Sequence, residues 1–65
     1  MQIIVNGESR EVAADTSVSQ LLGDLALGQH VAVEINYELV PRRQHGQHLL
    51  RPDDSVEIVT LVGGG

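Results

Sequence analysis

Val56-Glu57-Ile58-Val59-Thr60-Leu61-Val62, followed by Gly63-Gly64-Gly65, decides how this 65-residue chain folds. The residues before the glycines are the densest apolar run in the sequence. A near-continuous apolar run of strand length predicts a central strand with little solvent on either face. The glycines after it lack a Cβ and make a thin, flexible arm. At an average usage of ~7%, three in a row arise by chance roughly once in three thousand positions, so the arm needs a reason. An arm ending in a free carboxylate suits delivery of that group into a narrow channel of another protein. The competing reading is a frayed terminus or a cloning remnant.

The strand needs neighbours, and the start of the chain supplies one. Met1, Ile3 and Val5 alternate with Gln2 and Ile4, which predicts a strand. Asn6-Gly7 comes next, and a type I′ hairpin turn requires positive φ at both of its central residues. Such a turn pairs Val5 with Glu8, Ile3 with Arg10 and Met1 with Val12. The return strand is weakly apolar, as an edge strand can be. Ser17-Val18-Ser19-Gln20 fits a capping box, with Asp15 and Thr16 as competing caps, and Val18, Leu21, Leu22 and Leu25 then form one helical stripe. Gly23 within that helix reads as an exposed, tolerated glycine, and Gly28 as its C-terminal stop. Val31, Val33 and Ile35 alternate with Ala32 and Glu34 as a third strand. Asn36-Tyr37 makes a tight turn, and Glu38-Leu39-Val40 returns until Pro41 ends it. Residues 42–47 are polar, with room for one helical turn. Leu49-Leu50 are core plugs or a very short strand, and Pro52-Asp53-Asp54-Ser55 is a turn by composition.

One helix must then cover one face of a small mixed sheet. The simplest arrangement sets the last strand beside the first and parallel to it. The predicted class is α+β: a β-grasp (ubiquitin-like) mixed sheet packed against one main helix. Residues 1–62 form the domain and 63–65 its flexible glycine tail. The tail would leave at the Asn6-Gly7 end, about 20 Å from the N-terminal amine at ~3.3 Å per residue.

Composition excludes several functions. Cysteine is absent, which removes disulfides, thiolate nucleophiles and zinc–thiolate sites. No run approaches the ~20 apolar residues that span a bilayer, and nothing resembles a signal peptide, so a soluble cytoplasmic protein is expected. The net charge is −5, with nine acidic residues against four arginines and no lysine. Tyr37 is the sole aromatic residue. Neither a basic patch nor a stacking platform for nucleic acid exists. An acidic surface favours a basic protein partner, although solubility alone explains most of these charges.

Other candidate chemistry is thin. His45-x-x-His48 could offer two imidazoles to a metal, but no cysteine joins them, and the segment reads as a solvated polar loop. Asp53-Asp54 could do acid–base work only in a cleft, and here reads as exposed turn residues. The serines lack a nucleophile context and no glycine-rich loop precedes the helix. No metal site and no catalytic constellation is expected. The distinctive group is the Gly65 carboxylate. It is inert until adenylation turns its oxygen into a leaving group. With no cysteine and no lysine, the chain has little of its own to trap an activated acyl end.

Met1-Gln2-Ile3-Ile4-Val5-Asn6-Gly7, Val31-Ala32-Val33-Glu34-Ile35-Asn36, Val40-Pro41-Arg42 and the apolar strand ending in Gly64-Gly65 resemble the ThiS-type sulfur carriers of thiamine biosynthesis. The resemblance covers essentially the whole chain. Its more specific part is the Asn-x-x-x-Val-Pro-Arg segment from Asn36 to Arg42; the terminal Gly-Gly is shared by all ubiquitin-like carriers. The family's glycine pair falls on Gly64 and Gly65, and Gly63 stands where a small residue is expected. The resemblance implies a carrier that is not itself an enzyme and binds no cofactor. A ThiF-like enzyme would adenylate Gly65 with ATP and Mg²⁺, and a persulfide protein would supply sulfur to form a thiocarboxylate. A ThiG-like thiazole synthase would take that sulfur. The carrier is expected to be a monomer when free. The resemblance further implies that the sheet face opposite the helix docks on the activating enzyme. Ile4, Val59 and Leu61 are candidates for that face, and equally for the core, because pattern alone does not set the register. Alternatives are the small subunit of a molybdopterin synthase, a ubiquitin-like protein modifier, and a β-grasp interaction module with an idle tail.

Overall fold

Asn6 and Gly7 stand at φ 49° and 85°, the left-handed pair that a type I′ turn requires. In the computed structural model, which describes residues 1–28 and 30–61, this turn joins β1 (Gln2–Val5) to β2 (Glu8–Glu11). The register is the one the turn dictates, with Val5 opposite Glu8 and Ile3 opposite Arg10. The Met1 and Val12 backbones continue it, Val12 N–H donating to the Met1 carbonyl at 2.8 Å. Asn36 and Tyr37, at φ 52° and 72°, make the equivalent turn between β3 (Val31–Ile35) and β4 (Glu38–Val40). The last strand, β5 (Ser55–Thr60), lies between the two hairpins. The five-stranded sheet has the order β2-β1-β5-β3-β4. β5 is parallel to β1 and antiparallel to β3. With one helix across one face, this is the expected α+β, β-grasp arrangement.

Helix α1 (Val18–Asp24) begins where the capping box placed it. The Gln20 N–H donates to Ser17 Oγ at 3.1 Å, and the Ser17 N–H donates to Gln20 Oε1 at 2.9 Å. The other free N–H groups of the first turn are met from the loop before β5. Val18 N–H donates to the His48 carbonyl and Ser19 N–H to the His45 carbonyl, each at 3.0 Å. These bonds satisfy the orphan donors of a helix start and bind the loop to the helix. Val18 and Leu21 are wholly buried against Ile3, Val33 and Val56, and Val12, Leu22, Val31, Ile35, Val40, Leu50 and Ile58 complete the core.

Several expectations are corrected. The helix does not run to Gly28. It closes at Ala26, which takes the left-handed conformation at φ 58°. Ala26 N–H donates to the Gly23 carbonyl at 3.0 Å and Leu27 N–H to the Leu22 carbonyl at 2.9 Å. That is a Schellman closure with alanine where glycine is usual. It turns Leu27 back toward the core, where it packs against the buried cluster. β5 is central, but only one of its faces is covered: Val56 and Ile58 are buried, and Glu57 and Val59 point to solvent. Leu49 and Leu50 separate, Leu50 buried and Leu49 half exposed. Residues 42–44 form the expected single helical turn, a 3-10 turn from Arg42 to Gln44. Among the described residues no helix is long and apolar enough to cross a membrane.

Both odd residues of the helix end can be tested together. Ala26→Gly removes the left-handed penalty, and Gly23→Ala fills open space, since no atom lies within 4 Å of a Cβ built there. Each substitution should stabilise the domain by about 0.5–1 kcal/mol in urea unfolding.

Candidate functional site

Strand β5 outlasts its neighbour. β1 ends at Val5 and turns away, while β5 continues to Thr60. The Asn6 side chain takes over where the β1 backbone leaves. Ile58 N–H donates to Asn6 Oδ1 at 2.8 Å, and Asn6 Nδ2 donates to the Ile58 carbonyl at 3.3 Å. Asn36 does similar work at the start of the strand. Its own N–H donates to the Ser55 carbonyl at 2.8 Å, and Ser55 N–H donates to Asn36 Oδ1 at 3.0 Å. Each turn asparagine therefore sets a hairpin and also holds β5. Beyond Ile58 the strand is held by β3, with Val31 opposite Thr60 and Leu61 N–H donating to the His30 carbonyl at 2.9 Å. β5 thus points past the Asn6-Gly7 end of the sheet. The proposed reactive residue Gly65, and Gly63 and Gly64 with it, lie outside the described residues.

Pleating settles which apolar residues face outward. Opposed residues in an antiparallel pair share a face, and successive residues alternate. Ile4 lies opposite Ser9 on β2 and beside Ser55 on β5, so it faces away from the helix. Val59 lies opposite Ala32 on that same outer face, and Leu61 is one alternation further along. Their exposures are 39% for Ile4, 58% for Val59 and 56% for Leu61, so none is core. Leu39, 65% exposed and opposite Glu34, belongs to the same face. Sequence reasoning did not single out Leu39; its signal was the alternation within Glu38-Leu39-Val40, in which Val40 is the buried member.

The remaining candidates are structural. His45 is buried, not solvated, with Nε2 3.0 Å from the Val40 carbonyl oxygen. That oxygen can only accept, so Nε2 carries the proton. Among the described residues no group of three or more histidines and carboxylates is placed to hold a metal ion. Asp54 is buried as well, while Asp53 is exposed at φ 68°. Asp54 accepts from the Arg51 N–H at 2.8 Å through Oδ2 and from Asn36 Nδ2 at 3.1 Å through Oδ1. It fastens the turn before β5 to the Asn36 turn, which accounts for a buried carboxylate without acid–base work.

Residues 3–65 match the family model described as the ThiS family. The chain belongs to the ThiS family. It is 35% identical over 66 residues to the sulfur carrier protein ThiS of Escherichia coli, all of each chain being covered. It is 41% identical over 66 residues to a thiazole synthase of Paramagnetospirillum magneticum, and spans 20% of that protein's length. The crystal structure of the thiamine biosynthesis protein ThiS from Geobacter metallireducens superposes with a TM-score of 0.85 at 33% identity, with both chains fully covered.

The asparagine clamp on Ile58 separates into a conformational and a hydrogen-bonding part. Asn6→Gly keeps the left-handed turn and loses both side-chain bonds; Asn6→Ala loses the bonds and adds strain at φ 49°. Both should destabilise in urea unfolding, with Asn6→Ala lower than Asn6→Gly by about 1 kcal/mol.

Proposed function

We propose that this chain is a sulfur carrier of thiamine biosynthesis, with Gly65 as the residue that is activated and modified. The observation that carries the reading is the ThiS family match, which runs across residues 3–65 and so through the glycines. The end-to-end alignment with the E. coli sulfur carrier protein supports it. So does the direction of β5, just beyond whose last residue, Thr60, Leu61 sits on the exposed apolar face.

In this reading the Gly65 carboxylate attacks the α-phosphorus of ATP on a ThiF-like adenylating enzyme with Mg²⁺. Pyrophosphate leaves and an acyl-adenylate remains. The terminal sulfur of a persulfide attacks the carbonyl carbon and AMP departs. A thiol then cleaves the acyl disulfide by two-electron exchange, leaving a thiocarboxylate on the carrier and a disulfide on the donor side. Lacking cysteine and lysine, the chain offers no side-chain thiol or amine to intercept the acyl group. Gly63 and Gly64 give it reach into narrow sites. The carrier catalyses none of these steps; it is the co-substrate of enzymes that do.

A ThiG-like thiazole synthase is the proposed acceptor. The P. magneticum thiazole synthase holds a stretch similar to this entire chain within its own length. Joining a carrier to its acceptor raises their effective concentration without any new contact. The outer face formed by Ile4, Val59 and Leu61 is the proposed seat of the adenylating enzyme, since exposed apolar residues grouped on one face mark interaction surfaces. The carrier is taken to work in the cytoplasm, as a monomer between encounters.

Incubation with a ThiF-type enzyme, ATP, Mg²⁺, a persulfide donor and a thiol should replace one oxygen of the chain by sulfur, read by intact-protein mass spectrometry. No shift under conditions that convert the E. coli carrier would sink the proposal. Deletion of Gly64-Gly65 should abolish conversion and leave the circular dichroism spectrum and melting temperature unchanged.

A further inference from the structure

The outer face of the sheet holds a like-charge pair at its centre. The β3–β5 register sets Glu34 directly opposite Glu57. Residues so opposed have Cβ atoms about 4.5–5.5 Å apart, and like charges there destabilise a sheet. Both glutamates are exposed. The Met1 amine pairs with Glu11 at 2.9 Å, not with either of these glutamates. No arginine occupies an outward position on this face. Arg10 lies opposite Ile3 on the helix side, Arg42 and Arg43 belong to the 3-10 turn, and Arg51 precedes β5. The face therefore concentrates repulsion where a substitution on either strand could have relieved it.

The surroundings of the pair are apolar. Leu39 is opposite Glu34 on β4, Val59 is the next outward residue on β5, and Leu61 the one after. Ile4 sits diagonally across on β1, beside Ser55. A partner covering these residues excludes water from the carboxylates. A charge brought into such a setting must be paired. Two carboxylates one strand spacing apart match the planar fork of a guanidinium, which can give one edge to each. A second copy of this chain is a poor occupant, because it would set pair against pair on a chain of net charge −5.

We propose that Glu34 and Glu57 together receive one arginine side chain of the adenylating enzyme, with Ile4, Leu39, Val59 and Leu61 as the apolar surround that the same enzyme covers. This rests on the reading that the outer face docks on that enzyme. Its consequence is opposite signs in two measurements. The pair weakens the free carrier and strengthens the complex, because the bound arginine converts repulsion into two charge-assisted hydrogen bonds.

The test uses wild type, Glu34→Gln, Glu57→Gln, the double glutamine variant and Val59→Asp. Isothermal titration calorimetry against the ThiF-type enzyme gives affinity, and thermal unfolding of each free carrier gives stability. The glutamine variants should melt above wild type, yet each should bind about tenfold more weakly or worse. The double variant should lose most of the salt dependence of binding. Val59→Asp should abolish binding while its circular dichroism stays native. Equal affinity of wild type and the double variant, with Val59→Asp inactive, overturns the arginine receptor and leaves the docking face standing. Unimpaired binding by Val59→Asp overturns the docking reading and this inference with it. A wild-type carrier that dimerises in sedimentation, or whose melting temperature Mg²⁺ raises in the absence of enzyme, overturns the assignment in favour of a second copy or a cation.

Discussion

The insertion of β5 between β1 and β3 is the constraint on which the molecule depends. Its parallel contact with β1 is brief, Ile4 beside Ser55 and Val5 beside Val56, and its antiparallel contact with β3 is longer. Without it the molecule is two hairpins and a helix of seven residues, none of which could persist alone. With it, Val56 and Ile58 close the core against Ile3, Val33 and Leu21. Asn6 and Asn36 reinforce the insertion from either side by bonding Ile58 and Ser55. The sequence is thus organised twice around the same strand, once through apolar burial and once through turn residues that double as clamps.

What was legible in the sequence was local. Asn6-Gly7 sets its own register, because φ must be positive at both residues and alternation then assigns the faces. Ser17 and Gln20 announce the helix start because both halves of the capping box lie within four residues. The parallel first and last strands resulted from having one helix to cover one sheet. What was not legible depended on contacts distant in sequence. Alanine in a left-handed closure at residue 26 is chosen by the return of Leu27 to the core, against its own preference. His45 looked solvated by its neighbours, but its segment is drawn inward by the helix N–H groups that its carbonyls serve. Asp54 looked like a turn residue and is one, buried because its carboxylate ties two turns together.

The outer face was half legible. The apolar run of β5 suggested cover on both sides, yet Glu57 already broke it, and the structure leaves that side of the sheet open. Only the register shows that Glu57 faces Glu34, and only the register groups Ile4, Val59, Leu61 and Leu39. In a chain so short, the covered face supplies the stability and the open face is free to carry features that oppose it. Apolar residues held in water and paired like charges are both of that kind.

The unequal lengths of β1 and β5 act as a ruler. Support from β1 stops at the Asn6 clamp on Ile58, and β3 carries the strand on to Leu61. Covalent geometry limits the reach beyond that point: at ~3.3–3.6 Å per residue, the chain from residue 62 to residue 65 spans no more than about 14 Å. In the proposed function, an enzyme that grips the outer face must place its reacting atoms within that radius of Leu61. Adding or removing one residue of the arm would shift its end by a distance comparable to a hydrogen bond. The docking footprint and the catalytic pocket of any partner are therefore metrically tied.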